Sequence, residues 1–432
     1  MNDVKSVKPK INNSSVKRSL SMSKIHFNTV AGIEFKLKWQ SQLWQNNLVS
    51  HLDCYFGQKV NFWRDFMPKN LQDALMGKTV GDEVEVSLPH DDIIPPYATS
   101  NIFTLQNTQF NRNFVRGRQI EPRFGRFYPN NFLQHLSGAV KDKVTPFRCI
   151  EFDNTTLQAD FNHPLAQQQA LKLAAKVHDI LGDQAERGGR CNDWAEVVTS
   201  QGVGFQTRCQ NRATNFLADD PFGRLDSTDD TEFYSKPRIV THIDAKAIEI
   251  ITDFYGQFLK PGMKVLDLMS GWKSHIPENL DLASVTGLGL NQEELENNKQ
   301  LTAHVIHDLK KMPRLPFKNR TFNAVICTAS VEYLTHPIEV FAEAARVLKS
   351  GGYFLVTFSN RWFPPKVVNI WTDLHEFERM ALVMGYLLKS AQFNCLGTYS
   401  VRNFPRPADD KHILESSLSD PVFAVYGQKT KR

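Results

Sequence analysis

At 432 residues the chain is long enough for roughly two to four domains. A hydrophobic content of 41% with 22% charged residues excludes global disorder, and no apolar run reaches the roughly 18 residues of a membrane span. The net charge of +5 belongs to residues 1–24, where Lys5, Lys8, Lys10, Lys17, Arg18 and Lys24 face only Asp3, so the remaining body is neutral and carries no field to gather nucleic acid.

Residues 1–24 are rich in Ser, Asn and Lys and have no apolar face. They read as a disordered basic tail, with a Lys-rich organelle leader as the alternative. From Ile25 to Leu181 the pattern is mostly strand-like. Asn70 to Met76 reads as a short helix stopped by Gly77. Val84 to Leu88 alternates like a half-buried strand. Pro95 to Pro146 is irregular and reads as an insertion. Residues 182–241 are polar, with an acidic stretch from Asp219 to Glu232 and recurring aromatics (Trp194, Phe205, Phe216, Phe222, Phe233, Tyr234), which predicts a linker packed on the C-terminal domain. Six scattered cysteines without a C-x-x-C pair point to a reducing, cytoplasmic setting, and no local cluster predicts a metal site.

From His242 onward, strands and helices alternate. Val265–Leu268, Val285–Leu288, Ala324–Cys327 and Tyr353–Phe358 read as strands. Asn291–Leu301 reads as a helix capped by Asn291, and His336–Leu348 as an amphipathic helix ended by Gly351-Gly352. This alternation predicts an α/β unit with a mostly parallel sheet, which binds ligands at the carboxyl ends of its strands.

The order of three segments here resembles a class I S-adenosylmethionine-dependent methyltransferase (the type 11 group). They are Lys260–Leu268, Leu315-Pro316-Phe317 with Phe322–Val325, and Arg346–Gly352, similar to that family's first-strand entry, LPF…FD-x-V and RVLKPGG segments. The resemblance covers roughly residues 240–430 and implies a Rossmann-like fold using S-adenosylmethionine. It assigns Asp267, Gly271 and Asp308 to the cofactor. The family turn D-x-G-x-G-x-G carries Met269 and Lys273 in place of its first and third glycines. Gly289 stands where an acid usually holds the ribose, which passes that contact to Asn291. The segment between the first two strands is short, so the first helix is expected to be truncated. Loops after the fourth and fifth strands offer Glu332, Tyr333 and Arg361 as catalytic candidates. The acceptor is expected to be a small molecule or a protein, with neither nucleic acid nor membrane as partner.

Asn70–Glu83 and Asp160–Ala166 resemble the GLE-x-AL-x-GM-x-VGD and D-x-NHPLAG segments of FKBP-type, SlyD-like prolyl isomerases. That resemblance covers residues 25–181 and implies an α+β domain with an inserted lobe at about 95–146. It implies a prolyl-peptide pocket of Asp53, Phe66, Met67, Leu71 and Tyr97, with Ile94 and Leu173 replacing two pocket aromatics. The fold expectation is therefore multidomain: residues 1–24, 25–181, 182–241 and 242–432. A methyltransferase carrying an isomerase or chaperone domain is the main functional expectation. A prolyl isomerase or holdase, binding proline-containing polypeptides and carrying a degenerate methyltransferase domain, is the alternative.

Overall fold

The computed structural model describes residues 23–43, 48–87, 93–115, 119–183, 188–217 and 220–431. Nearly all of the expected basic tail lies outside them.

The N-terminal lobe begins with β1 (Thr29–Gln42) and β2 (Leu48–Asn61), paired antiparallel. Ile33, Phe35, Leu37 and Trp39 alternate along β1 and bury one face, the period-2 signature of a strand on a core. Next come α1 (Lys69–Leu75), ended by Gly77 at a φ of 78°, and β3 (Glu83–Ser87). A second, four-stranded antiparallel sheet comes after β3, formed by β4 (Ile102–Gln106), β5 (Phe127–Tyr128), β6 (Phe147–Phe152) and β7 (Thr156–Asp160). It encloses its own core around Phe110, Phe147 and Leu157. The insertion therefore runs past the expected Pro146, because β6 and β7 supply the central strands of this sheet. β8 (Gln169–Asp183) returns to pair with β1 and β3.

The connecting region carries α2 (Trp194–Thr199) and α3 (Asp230–Phe233) and is a packed element. Trp194 stacks on Phe35 at 5.2 Å and donates to Asp65 at 2.9 Å. Phe205 stacks on Phe127 at 3.9 Å.

The C-terminal half opens with α4 (Ala245–Phe258), capped by Asp244. It continues through β9 (Lys264–Leu268), β10 (Ser284–Gly289), α5 (Gln292–Asn297), β11 (Ala303–Ile306), β12 (Phe322–Thr328), α6 (Pro337–Val347), β13 (Leu348–Phe358), α7 (Asn369–Thr372), α8 (Glu376–Lys389), β14 (Phe393–Arg402) and β15 (Val422–Lys429). Pro337 opens α6, where its missing N–H is harmless. The face Val340, Phe341, Ala344, Ala345 and Val347 is buried. Gly351 and Gly352 do not end α6 as expected: the helix stops at Val347 and β13 runs through both glycines. A Cβ on Gly352 would stand 2.6 Å from the Asn323 carbonyl, so glycine lets β13 close on the start of β12. α5 ends at Asn297, four residues earlier than expected. Residues 269–283 contain no helix at all, so the first crossover helix is absent rather than shortened.

The order β11-β10-β9-β12-β13 is parallel, followed by antiparallel β15 and then β14. The expectation of two separate domains needs correction here. β14 pairs in parallel with β2, from Gly397↔Ser50 to Arg402↔Tyr55, and joins both halves into one mixed sheet of 11 strands. Side chains lock the seam: Ser400 donates to Asp53 at 2.8 Å, and His51 Nδ1 meets Thr398 Oγ1 at 2.7 Å.

Candidate active site

A cleft opens at the carboxyl ends of β9, β10 and β12, where the strand order reverses. Asp267 lies at its floor and accepts from Ser270 Oγ at 2.6 Å and Ser274 Oγ at 2.7 Å. Burial pushes its carboxyl up to about 7 against those two hydrogen bonds. Met269, at the first glycine of the turn, holds a left-handed φ of 59°, which costs an L-residue roughly 1–2 kcal/mol.

Gly289 has a steric reason. A Cβ there would lie 2.3 Å from the Ser270 carbonyl, so this strand end cannot carry an acid. Asn291 does not replace it. Its amide donates to the carbonyls of Tyr234 at 2.8 Å and Ser235 at 3.2 Å, and its oxygen caps α5 by accepting from Glu294 N. A further carboxylate, Glu294, lines the cleft beside Asp267 and Asp308; sequence alone placed it only in a helix first turn. Its Oε2 stands 3.2 Å from the position of a Gly271 Cβ, and burial raises its pKa. Asp308 turns Oδ1 to the backbone of Lys310 and Lys311, while Oδ2 is buried without a hydrogen-bond donor. The nearest cation is Lys311 Nζ at 3.7 Å.

The region expected to be a linker roofs the cleft. Its segment 234–243 is held at three successive points: Asn291 grips Tyr234 and Ser235, Glu294 Oε1 accepts from Arg238 N at 2.7 Å, and Trp272 Nε1 donates to Val240 O at 2.9 Å. The Arg238 guanidinium lies 4.5 Å from the Phe233 ring and 5.1 Å from that of Phe363. Behind it, fully buried Lys366 meets Asp226 at 3.0 Å and Asp230 at 3.3 Å, and Arg224 pairs with Asp230 at 2.7 Å. Sequence reasoning did not name Arg224, Arg238 or Lys366 as site residues; the recurring aromatics and the acidic stretch of the linker were the signals that pointed to this region.

The three catalytic candidates separate. Tyr333 lines the cleft, and its hydroxyl accepts from Phe363 N at 2.8 Å. Burial keeps it protonated. Glu332 is 1% exposed and does not line the cleft; neither carboxyl oxygen has a partner, and burial pushes it up to about 8. Arg361 lies in a different cleft, 3.5 Å from Asp420. Two histidines that were not singled out, His242 and His275, also line the cleft. Burial lowers both, His275 to about 4, so both are neutral at pH 7.

The prolyl-peptide pocket is not assembled as an open site. Leu71, Ile94 and Leu173 have no exposed surface and belong to the core of this lobe rather than to the wall of an open pocket. Asp53 is buried at the seam, accepting from Trp39 Nε1 at 2.7 Å and Ser400. Met67 packs against the main core, Tyr97 is half-buried, and Phe66 is 65% exposed. The connecting region covers this lobe: Trp194 N donates to the Phe66 carbonyl at 2.9 Å.

Residues 266–356 match the family model described as a methyltransferase domain. Over this stretch the chain is similar to methyltransferase domains. The chain is 29% identical over 177 residues to the ubiquinone/menaquinone biosynthesis C-methyltransferase of Laribacter hongkongensis, an alignment covering 38% of this chain and 68% of that protein. It is 36% identical over 109 residues to cycloartenol-C-24-methyltransferase 1 of Oryza sativa, covering 23% of this chain and 31% of the relative. The solved phosphoethanolamine N-methyltransferase 2 of Haemonchus contortus aligns with a TM-score of 0.30 and 13% identity, over 43% of this chain and 52% of the other. Among the described residues no helix is long and apolar enough to cross a membrane, and no group of three His, Cys, Asp or Glu residues could hold a metal ion.

Proposed function

We propose that this chain is an S-adenosylmethionine-dependent methyltransferase acting on a small molecule. The observation that carries the proposal is Asp308 Oδ2, a buried acceptor without a donor, in the same cleft as Asp267 and the methyltransferase-type turn. The donor set suits the cofactor. Asp308 would accept from the adenine amino group, Glu294 faces the cleft as an acid for ribose hydroxyls, and Asp267 would face the ammonium of the amino-acid end. When bound, the cofactor supplies an electrophilic methyl group.

The protein's part is orientation and exclusion of water. Segment 234–243 and Trp272 line the cleft and would narrow its mouth, which favours a small acceptor over a folded protein. Tyr333 and Phe363 would wall the acceptor side. The neutral imidazole of His242 is one cleft group able to accept a proton from an acceptor at neutral pH, whereas His275, held at about 4, is a much weaker base. The C-methyltransferases among the relatives, named for ubiquinone/menaquinone biosynthesis and for cycloartenol, support a small-molecule substrate. Six unpaired cysteines fit a reducing, cytoplasmic setting. Prolyl isomerisation is not part of this reading, because Asp53 is tied into the seam and Leu71 lies in the core, which leaves Phe66, Met67 and Tyr97 without a shared open pocket. The test is calorimetric titration of the full chain with S-adenosylhomocysteine. Saturable micromolar binding is expected; none would overturn the reading.

A further inference from the structure

A second cleft opens where the two halves of the molecule meet. Tyr55 of β2, Gln201, Arg361, Phe377 of α8 and Arg402 line it. It lies along the same sheet edge as the cofactor cleft. β14 ends in Arg402 and runs parallel to β2 and, through β15, in the sense of β13.

Three arginines reach this cleft, and they are not equivalent. Arg406 is fully engaged, with Asp420, Asp410 and Asp244 at 2.6, 3.0 and 3.3 Å. Arg361 is one-third exposed and meets Asp420 at 3.5 Å. Arg402 is 9% exposed, and its guanidinium lies 5.0 Å from the Phe377 ring and 5.4 Å from that of Tyr55. Nη1 donates to Gln201 Oε1 at 3.2 Å, yet Nε and Nη2 are buried with no acceptor.

Those two nitrogens form one edge of the guanidinium. Their N–H groups point side by side and match the two oxygens of a carboxylate or phosphate. Arg346 shows the same edge filled: its Nε and Nη2 donate to the two carboxylate oxygens of Glu343 at 2.7 and 2.6 Å. At Arg402 the neighbouring acids are committed elsewhere. Asp53 is held by Trp39 and Ser400, Asp420 by Arg406, and Glu376 lies 3.4 Å from His375. A buried guanidinium edge therefore waits at an open cleft, fixed by a glutamine and two rings.

We propose that Arg402 anchors a second ligand site, which takes an anionic group with paired oxygens, a carboxylate or a phosphate. The proposal does not depend on methyl transfer. The oxyanion could end the methyl acceptor itself or belong to a separate small ligand, since both present the same chemistry.

The test is calorimetric titration of the full chain with inorganic phosphate and with benzoate. Saturable binding of at least one is expected, weakened roughly tenfold or more in Arg402→Gln. Arg402→Lys keeps the charge and loses the paired edge, so it should not restore wild-type affinity. S-adenosylhomocysteine affinity should survive Arg402→Gln, which separates loss of this site from loss of the cofactor site. Should Arg402→Gln fail to fold, Gln201→Ala and Arg361→Gln must each weaken the anion severalfold. Repeating the titration with saturating S-adenosylhomocysteine distinguishes the sources. A changed anion affinity assigns the oxyanion to the methyl acceptor and an unchanged one to a separate ligand; both outcomes support the site. No binding of either probe, or equal affinity in wild type and variants, overturns it.

Discussion

The two halves of the molecule treat the residues that the sequence singled out in opposite ways. In the C-terminal half the motif residues surround a cleft and keep free valences: Asp308 Oδ2 has no donor, and Glu294 faces the cleft. In the N-terminal half they are consumed by the architecture. Asp53 ties β2 to β1 and β14, and Leu71 lies in the core. A polar group can act on a ligand only with hydrogen-bonding capacity that the fold has not already filled.

The largest test of this contrast removes residues 1–182. That strips β14 of its partner strand and leaves an unpaired central edge, a template for aggregation. No soluble folded monomer of residues 183–432 is expected by size exclusion and circular dichroism. A well-folded fragment with full S-adenosylhomocysteine affinity would show that the seam is dispensable and the halves are independent.

Asp267→Ala is expected to weaken S-adenosylhomocysteine by about 100-fold, since it removes a buried charge facing the ligand. Because burial holds this carboxyl at about 7, the ionised fraction falls below that pH. If the ligand needs the carboxylate, affinity should drop by up to about tenfold per pH unit as the solution is acidified from 7. An affinity flat between pH 6 and 8 would separate Asp267 from ligand binding.

Asp308→Asn keeps the shape and replaces part of the accepting capacity, so about tenfold weaker binding is expected from the same titration. In the other half, Asp53→Ala should leave that affinity unchanged. It should lower unfolding free energy by about 1–3 kcal/mol, because the Trp39 indole N–H loses its acceptor. Prolyl isomerase activity above background in the wild type, lost in Asp53→Ala, would restore a functional pocket to this lobe.

The smallest effect is at Glu332. Its carboxyl stands at 4.5 in the unfolded chain and about 8 in the fold, so the raised value favours the folded state at low pH. That contribution is lost as pH rises from about 4.5 to about 8. Glu332→Gln should melt with the wild type near pH 5 and roughly 2–4 °C above it near pH 8. Identical melting at both would place Glu332 in contact with water or a cation.

Much of this was legible along the chain. The strand at Val265, the cap at Asn291, the amphipathic face of α6 and the order of the methyltransferase-like segments depend on neighbours within a few residues, and local pattern encodes them. The helix expected after β9 failed for a local reason too: residues 269–283 adopt left-handed turns at Met269 and His275. The strand expected only from Tyr353 begins at Leu348 because the glycines there serve close packing rather than a turn. Asn291 was legible as a cap and misread as a ribose ligand, because its amide partners lie in a loop 56 and 57 residues away. Glu332 and Arg361 follow the right strands in sequence, but the loop conformation turns them out of the cleft.

By itself, the sequence determined the alternation of elements, the parallel core and the place of Asp267 and Asp308, since hydrophobic period and turn chemistry act over short distances. Only the tertiary structure decided that β14 and β2 share one sheet, that the linker is the roof of the cleft, and that Arg402 keeps a free edge. Each of these depends on which backbone edges and side-chain donors find partners across hundreds of residues, and no local pattern records that.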